Sequence, residues 1–65
     1  MITESTIRSL IESLDAGRDD GPQIIANGVL VVLQYQDRLF VYSRWTHHAF
    51  ELLPDFESSI TVNRL

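Results

Sequence analysis

The chain of 65 residues contains no cysteine. This absence excludes a disulfide, a thiolate nucleophile and a cysteine-based zinc site. A chain of this length buries only about 60% of the surface that its unfolded form exposes, so its stability is expected to be marginal. Oligomerisation is then the remaining way to stabilise such a small fold.

The chain also lacks lysine, and its five basic residues are all arginines. Nine acidic residues give a net charge of −4, and the arginines do not cluster in the sequence. Because phosphate contacts require a basic patch, we expect no direct binding to nucleic acid. Binding to a basic protein is electrostatically more favourable than binding to nucleic acid.

No long apolar segment is present. The longest uninterrupted apolar run is residues 29–33, whereas a membrane-spanning helix needs roughly 20 apolar residues. The N-terminus also lacks the basic and apolar regions of a secretory signal. We therefore expect no membrane span and a cytoplasmic location.

A helix is predicted near the N-terminus. Ile7, Leu10, Ile11 and Leu14 have the i, i+3, i+4, i+7 spacing that places apolar groups on one helical face. Thr3 is the expected N-cap, and Gly17 is expected to end the helix after Ala16. An i, i+4 ion pair between Glu4 and Arg8 is expected on the outer surface.

Turn signals divide the rest of the chain into strands. Asn27-Gly28 predicts a hairpin with a type I′ turn, because both residues tolerate positive φ. Gln36-Asp37 predicts a second turn between runs of β-branched and aromatic residues. If that loop has two residues, Val31 lies opposite Tyr42, Val32 opposite Val41, and Leu33 opposite Phe40.

The C-terminal part predicts two further strands. Residues 49–53 are expected to form a strand that Pro54 ends, with a short helix as the alternative. Residues 59–65 alternate, with Ile60 and Val62 on one side. The expected fold is a single α+β domain, residues 1–65, in which one N-terminal helix packs on a small antiparallel meander sheet of three to five strands.

The sequence gives little support for a metal site. His47, His48, Glu51 and Asp55 are acceptable ligand types, but their spacing matches no metal signature and an extended segment would separate the histidines. The acidic stretch from Asp15 to Gly21 fails the spacing of a calcium loop. We expect no metal.

Catalytic motifs are also lacking. The glycines fit no nucleotide-binding spacing, and no serine lies in a nucleophile-elbow context. We expect no cofactor and no enzyme activity.

The region from residue 29 to residue 45 is apolar on both faces of the predicted hairpin. A single helix covers only one face, which leaves Leu30, Val32, Leu39, Val41 and Trp45 as a patch of several hundred Å². A non-enzymatic protein–protein interaction module is therefore expected. It would form a homodimer through one sheet face or an edge strand and bind another protein. The expected partner-binding residues are Val32, Val41, Tyr42, Arg44, Trp45, Asp19 and Asp20.

Two alternatives remain open. One is a small acidic inhibitor of nucleic-acid-binding machinery, of the kind found in viruses or mobile elements, whose carboxylates would mimic phosphates. Asp19 and Asp20 would contribute to that surface, together with Glu12, Asp15, Glu51, Asp55 and Glu57. The other is an accessory subunit of a larger complex, in which other chains bury both sheet faces.

Overall fold

A computed structural model describes residues 1–18, 21–54 and 59–65. One helix precedes five antiparallel strands that pair in sequence order as a meander. The elements are α1 (Glu4–Asp15), β1 (Gln23–Asn27), β2 (Leu30–Tyr35), β3 (Arg38–Ser43), β4 (Ala49–Pro54) and β5 (Ile60–Arg64). The α+β prediction is confirmed, at the upper limit of its three to five strands.

Both ends of α1 follow from the local sequence. Thr3 is the N-cap: its hydroxyl accepts from the N–H of Thr6, while the Thr6 hydroxyl accepts from the N–H of Thr3. At the other end, Ala16 is the C-cap and Gly17 has a φ of +82°. The predicted bounds are therefore confirmed.

The core lies between α1 and one face of the sheet. Ile7 and Ile11 project from the helix onto Val31, Leu33, Phe40, Tyr42 and Ala49, all of which are buried. These sheet residues alternate along their strands, because successive side chains of a strand point to opposite faces. The helix therefore buries the central part of one of the two faces.

The loop between β2 and β3 has two residues, as predicted. Gln36 and Asp37 have φ values of 52° and 60°, the positive values that a type I′ turn requires. The loop sets the register, and the three predicted cross-strand pairs, from Val31 with Tyr42 to Leu33 with Phe40, are all present.

β1 and β2 form the hairpin predicted around Asn27-Gly28, but the predicted type I′ turn is wrong. Neither residue has a positive φ, and Asn27 pairs with Val31, which leaves residues 28–30 to connect them. A β-bulge between Ile24 and Ala26 shifts the register. Arg44 donates to Asn27 Oδ1 and to the Gly28 carbonyl, so tertiary contacts fix this connection.

Two further expectations differ in outcome. Residues 49–54 form a strand, which confirms the first prediction and excludes the alternative of a helix. The expected ion pair between Glu4 and Arg8 is replaced by other contacts. Glu4 accepts from the Ala49 N–H at 3.1 Å, and Arg8 donates to the His47 carbonyl at 3.3 Å.

The two connections differ in their need for positive φ, so glycine is expected to affect stability in the loop at residues 36–37 and not at position 28. Replacing Gln36-Asp37 by Asn-Gly is expected to raise the free energy of unfolding by about 1 kcal/mol, because it relieves two left-handed residues. Gly28→Ala is expected to change it by less than about 0.5 kcal/mol, since the added Cβ meets only the Leu30 carbonyl at 4.0 Å. Thermal unfolding measures both. If the Asn-Gly variant is not more stable than the wild type, or if Gly28→Ala is much less stable, these turn assignments are contradicted.

Candidate interaction surface

The sheet face opposite α1 carries apolar side chains on all five strands, with Gln23, Gln34 and Arg64 on the same side near the strand ends. The registers place Val32 against Val41, Leu39 against Leu52, and Leu52 against Val62. We define the open face by the apolar residues that this alternation brings together: Ala26, Leu30, Val32, Leu39, Val41, Phe50, Leu52, Ile60 and Val62. No element among the described residues packs against this face.

The open face is large for so small a chain. Five strands at about 4.8 Å spacing span about 24 Å, and strands of this length run for about 18 Å, which gives roughly 400 Å² in projection. Leu30, Ile60 and Val62 are each more than half exposed, while Val32 and Val41 are sheltered by their neighbours. Monomers rarely expose contiguous apolar patches larger than a few hundred Å². The face is therefore a candidate contact surface.

A second apolar feature lies at the end of the sheet where β2 begins. Trp45 is 83% exposed and Val29 is 69% exposed. The two residues lie on neighbouring connections, which are joined by a hydrogen bond from the Arg44 N–H to the Val29 carbonyl. Trp45 and Val29 are called the apolar corner below.

Arg44 holds the apolar corner in place. Its guanidinium donates to both carboxylate oxygens of Asp15 at 2.7 and 3.0 Å, and also to Asn27 and Gly28. The hydrogen bonds from Arg44 lower the pKa of Asp15 below its usual value. Arg44 therefore joins the C-terminal end of α1 to both connections, a role that its sequence position does not reveal.

The other side of the Trp45 connection is also held by hydrogen bonds. Thr46 donates its N–H to Ser43 Oγ, and His47 donates its N–H to the Ser43 carbonyl. His47 has a φ of 63°, a left-handed conformation that is uncommon outside glycine. The connection is thus closely defined, and Trp45 projects from a fixed backbone.

The predicted partner-binding residues do not form one surface. Val32 and Val41 pair at the centre of the open face. Tyr42 is only 4% exposed and lies beneath α1, because adjacent strand residues point to opposite faces. Its hydroxyl is 3.0 Å from His47 Nδ1. Asp19 and Asp20 lie outside the described residues.

The candidate metal ligands bind other groups. His48 Nδ1 lies 2.8 Å from Arg64, and both oxygens of Glu51 accept from Arg38 at 2.6 and 2.7 Å. His47 bonds to Tyr42, and Asp55 lies outside the described residues. Within residues 1–18, 21–54 and 59–65, no group of three metal-ligating side chains is present.

A groove of about 520 Å³ lies between α1 and the connection after β3. It is lined by Arg8, Ile11, Glu12, Asp15, Tyr42, Arg44 and His47. Asp15 binds Arg44, and Arg8 donates to a backbone carbonyl. Because these charges neutralise one another or bind the backbone, the groove presents no concentrated charge of one sign.

Several acidic side chains are used for internal pairs. Asp15 and Glu51 form bidentate pairs with arginines, and Glu4 lies 3.5 Å from Arg64 Nε. Asp15 and Glu51 therefore contribute little to a phosphate-like array. The remaining acids of that hypothesis are Glu12, which is exposed, and Asp19, Asp20, Asp55 and Glu57, which lie outside the described residues.

Sequence reasoning missed the contribution of β4 to the open face. Phe50 and Leu52 lie beside Val41 and Leu39. The alternation of residues 49–53 carries this signal once the segment is taken as a strand antiparallel to β3. The same residues also suit a short helix, so the signal was ambiguous.

Comparisons with known proteins give no relative: no family model, no curated protein and no solved structure matches the chain. Among the described residues, no helix is long and apolar enough to cross a membrane. The geometry of the chain itself is therefore the basis for a functional proposal.

The ion pair between Arg38 and Glu51 predicts a loss of stability in acid. Hydrogen bonds from Arg38 lower the pKa of Glu51 below its usual 4.5. A carboxylate whose pKa is lower in the folded state contributes stability above pH 4.5, and this contribution is lost as the pH falls through the folded-state pKa. We expect Glu51→Gln to have a lower Tm than the wild type at pH 7 and a smaller deficit at pH 3.

Thermal unfolding at the two pH values measures this difference. Glu12→Gln, at an exposed helical position, is the matched control and is expected to match the wild type at pH 7. A deficit for Glu51→Gln that is equally large at pH 3 would show that the ionised pair is not its cause.

Proposed function

We propose that the protein is a non-enzymatic protein–protein interaction module that self-associates through the open face and binds another protein with its remaining aromatic surface. The observation that carries this proposal is the apolar row that crosses all five strands without a covering element among the described residues. A cytoplasmic location is part of the proposal, because a fold without cysteine needs no oxidising compartment.

A second copy of the chain is the occupant that fits the open face. Two such faces stacked about 10 Å apart would form the core of a β-sandwich. Their combined projected area is roughly 800 Å², and accessible area exceeds projected area because side chains protrude. A specific interface needs about 1,000 Å² in total. The area is thus close to what a stable dimer requires.

The composition of the open face also suits self-contact. Its defining members are aliphatic or aromatic, whereas Gln23, Gln34 and Arg64 on the same side lie near the ends of their strands. Apolar side chains therefore dominate a contact between two copies. A chain with so small a core gains most from covering this surface, because burial of apolar area is the main stabilising contribution in folding and association. Self-association therefore provides stability that one helix cannot supply.

The apolar corner is the proposed surface for another protein. Tryptophan is enriched at interface hot spots, and Trp45 projects from a connection that Arg44 and Ser43 hold in place. An anchor that is already ordered loses less conformational entropy on binding. The corner lies at the end of the sheet, so we assign it to a partner distinct from the second copy.

A charge at the centre of the open face tests self-association. Val41→Asp is expected to halve the number of chains per particle at a fixed concentration, because it buries an unpaired carboxylate in the contact. Light scattering after size exclusion measures the absolute mass. Ser9→Asp, at an exposed position on α1, adds the same charge elsewhere and is expected to leave the mass unchanged.

Folding of the variants is checked by circular dichroism and by a cooperative thermal transition. If Val41→Asp does not fold, the Val32→Thr and Val41→Thr double variant is used, since it keeps shape while adding polarity. A monomeric wild type at the highest concentration, or a folded variant of unchanged mass, would reject the proposed self-association.

The single tryptophan reports on the apolar corner directly. We expect acrylamide to quench Trp45 fluorescence equally well in dilute and in associated protein, because the corner lies beyond the stacked faces. Trp45→Ala is expected to have the same number of chains per particle as the wild type. Protection of Trp45 on association, with a loss of mass in Trp45→Ala, would instead place the corner inside the contact between copies.

A further inference from the structure

Within the part of the chain that the structure describes, the outer edge of β5 has no partner strand. There β5 pairs only with β4, and each of its five residues is exposed. Its register with β4 runs from Ile60 to Arg64 without irregularity. The strand therefore presents a straight, regular edge.

The hydrogen-bond pattern of β4 shows which groups of β5 point outward. Leu65 donates its N–H to the Ala49 carbonyl, and Ser43, on the other side of β4, donates to the His48 carbonyl. Antiparallel ladders alternate, so Thr61 and Asn63 bond to β4. The N–H and C=O groups of Ile60, Val62 and Arg64 then point away from the sheet.

The two edges of the sheet differ. β1, at the opposite edge, is interrupted by the bulge between Ile24 and Ala26. Bulges, prolines, lysines and inward-pointing charges are the usual protections against unwanted strand pairing. β5 has none of these within Ile60 to Asn63. The β5 edge is thus the unprotected edge of the sheet.

We propose that the β5 edge is a strand-addition site, and that it takes β5 of a second copy in antiparallel orientation about a two-fold axis at Val62. This contact is distinct from the open face, since it uses backbone groups at the edge rather than apolar side chains on the face. Val62 forms a hydrogen-bonded pair with the partner's Val62. Ile60 and Arg64 form such pairs with the partner's Arg64 and Ile60.

The side chains of β5 are complementary to themselves in this register. Thr61 lies opposite the partner's Asn63, which joins two polar residues on the helix side of the sheet. Ile60 lies opposite the stem of the partner's Arg64, and the two Arg64 residues are about 13 Å apart along the strands. No like charges oppose each other. The product is a ten-stranded sheet with both helices on one side.

A charge-exchange experiment tests this register. In the Thr61→Lys and Asn63→Lys double variant, the pairing would place like charges opposite each other twice, and the number of chains per particle is expected to halve. In the Thr61→Glu and Asn63→Lys variant, the same positions attract, and the wild-type mass is expected. Both changes lie on the helix side, so they leave the open face intact. Equal masses for the two variants would overturn the proposal.

A cysteine cross-link gives the second measurement, in a chain with no cysteine of its own. Val62→Cys is expected to form an interchain disulfide on mild oxidation, because the two Cα atoms of a hydrogen-bonded pair are about 5.5 Å apart. Ile60→Cys is the control and is expected to remain reduced. Stacked faces hold strands about 10 Å apart, beyond the reach of a disulfide. Absence of the Val62 cross-link, or equal cross-linking at both positions, would overturn the proposal.

The edge and the open face can fail independently. If only the edge contact forms, Val41→Asp keeps the particle mass of the wild type, whereas the Thr61→Lys and Asn63→Lys double variant has half that mass. If only the face contact forms, Val41→Asp has half the particle mass of the wild type, and both variants at positions 61 and 63 keep the wild-type mass. If both form, particles contain four chains, and each disabling change leaves two.

Discussion

The structure depends on one constraint: a single helix of twelve residues must cover a sheet of five strands. Such a helix is about 18 Å long and about 10 Å wide, so it shields about two strands on one side. Its contacts are with β3 and β4. Among the described residues, no other element covers the opposite face or the outer strands. The fully buried core is confined to a few side chains around Phe40.

Arginine pairs at the margin of this small core position the helix and close the sheet. Arg44 joins Asp15 to the connections beside β1 and β3. Arg38 binds the buried Glu51 and lies over the face of the Phe40 ring. The planar guanidinium suits these bidentate contacts, whereas an ammonium group would satisfy one oxygen at a time. The lack of lysine is consistent with this use. Because these pairs are partly exposed, they contribute to orientation more than to stability.

Local chemistry predicted the parts of the fold that local chemistry controls. Thr3 and Gly17 gave the bounds of α1, and the two-residue loop at Gln36-Asp37 gave the register of β2 with β3, hence the pairing of Val32 with Val41 on the open face. The connection after β1 was not predictable, because a bulge and the distant Arg44 determine it. Tyr42, one of the expected partner-binding residues, is buried beneath α1; strand alternation, which places it on the opposite face from Val41, already indicated this. The contribution of β4 to the open face was missed because its sequence suits both a strand and a short helix.

The two unsatisfied surfaces of the monomer reinforce each other physically. Apolar contact is non-directional, so stacked faces alone permit many registers, whereas backbone pairing at an edge fixes one. Joining two β5 strands places both open faces on the same side of one sheet, which doubles the apolar area on that side. Stacking two such sheets would bury that doubled area while losing translational and rotational freedom only once. Edge pairing therefore favours face stacking, and stacking holds paired edges in register, so each contact is expected to strengthen the other.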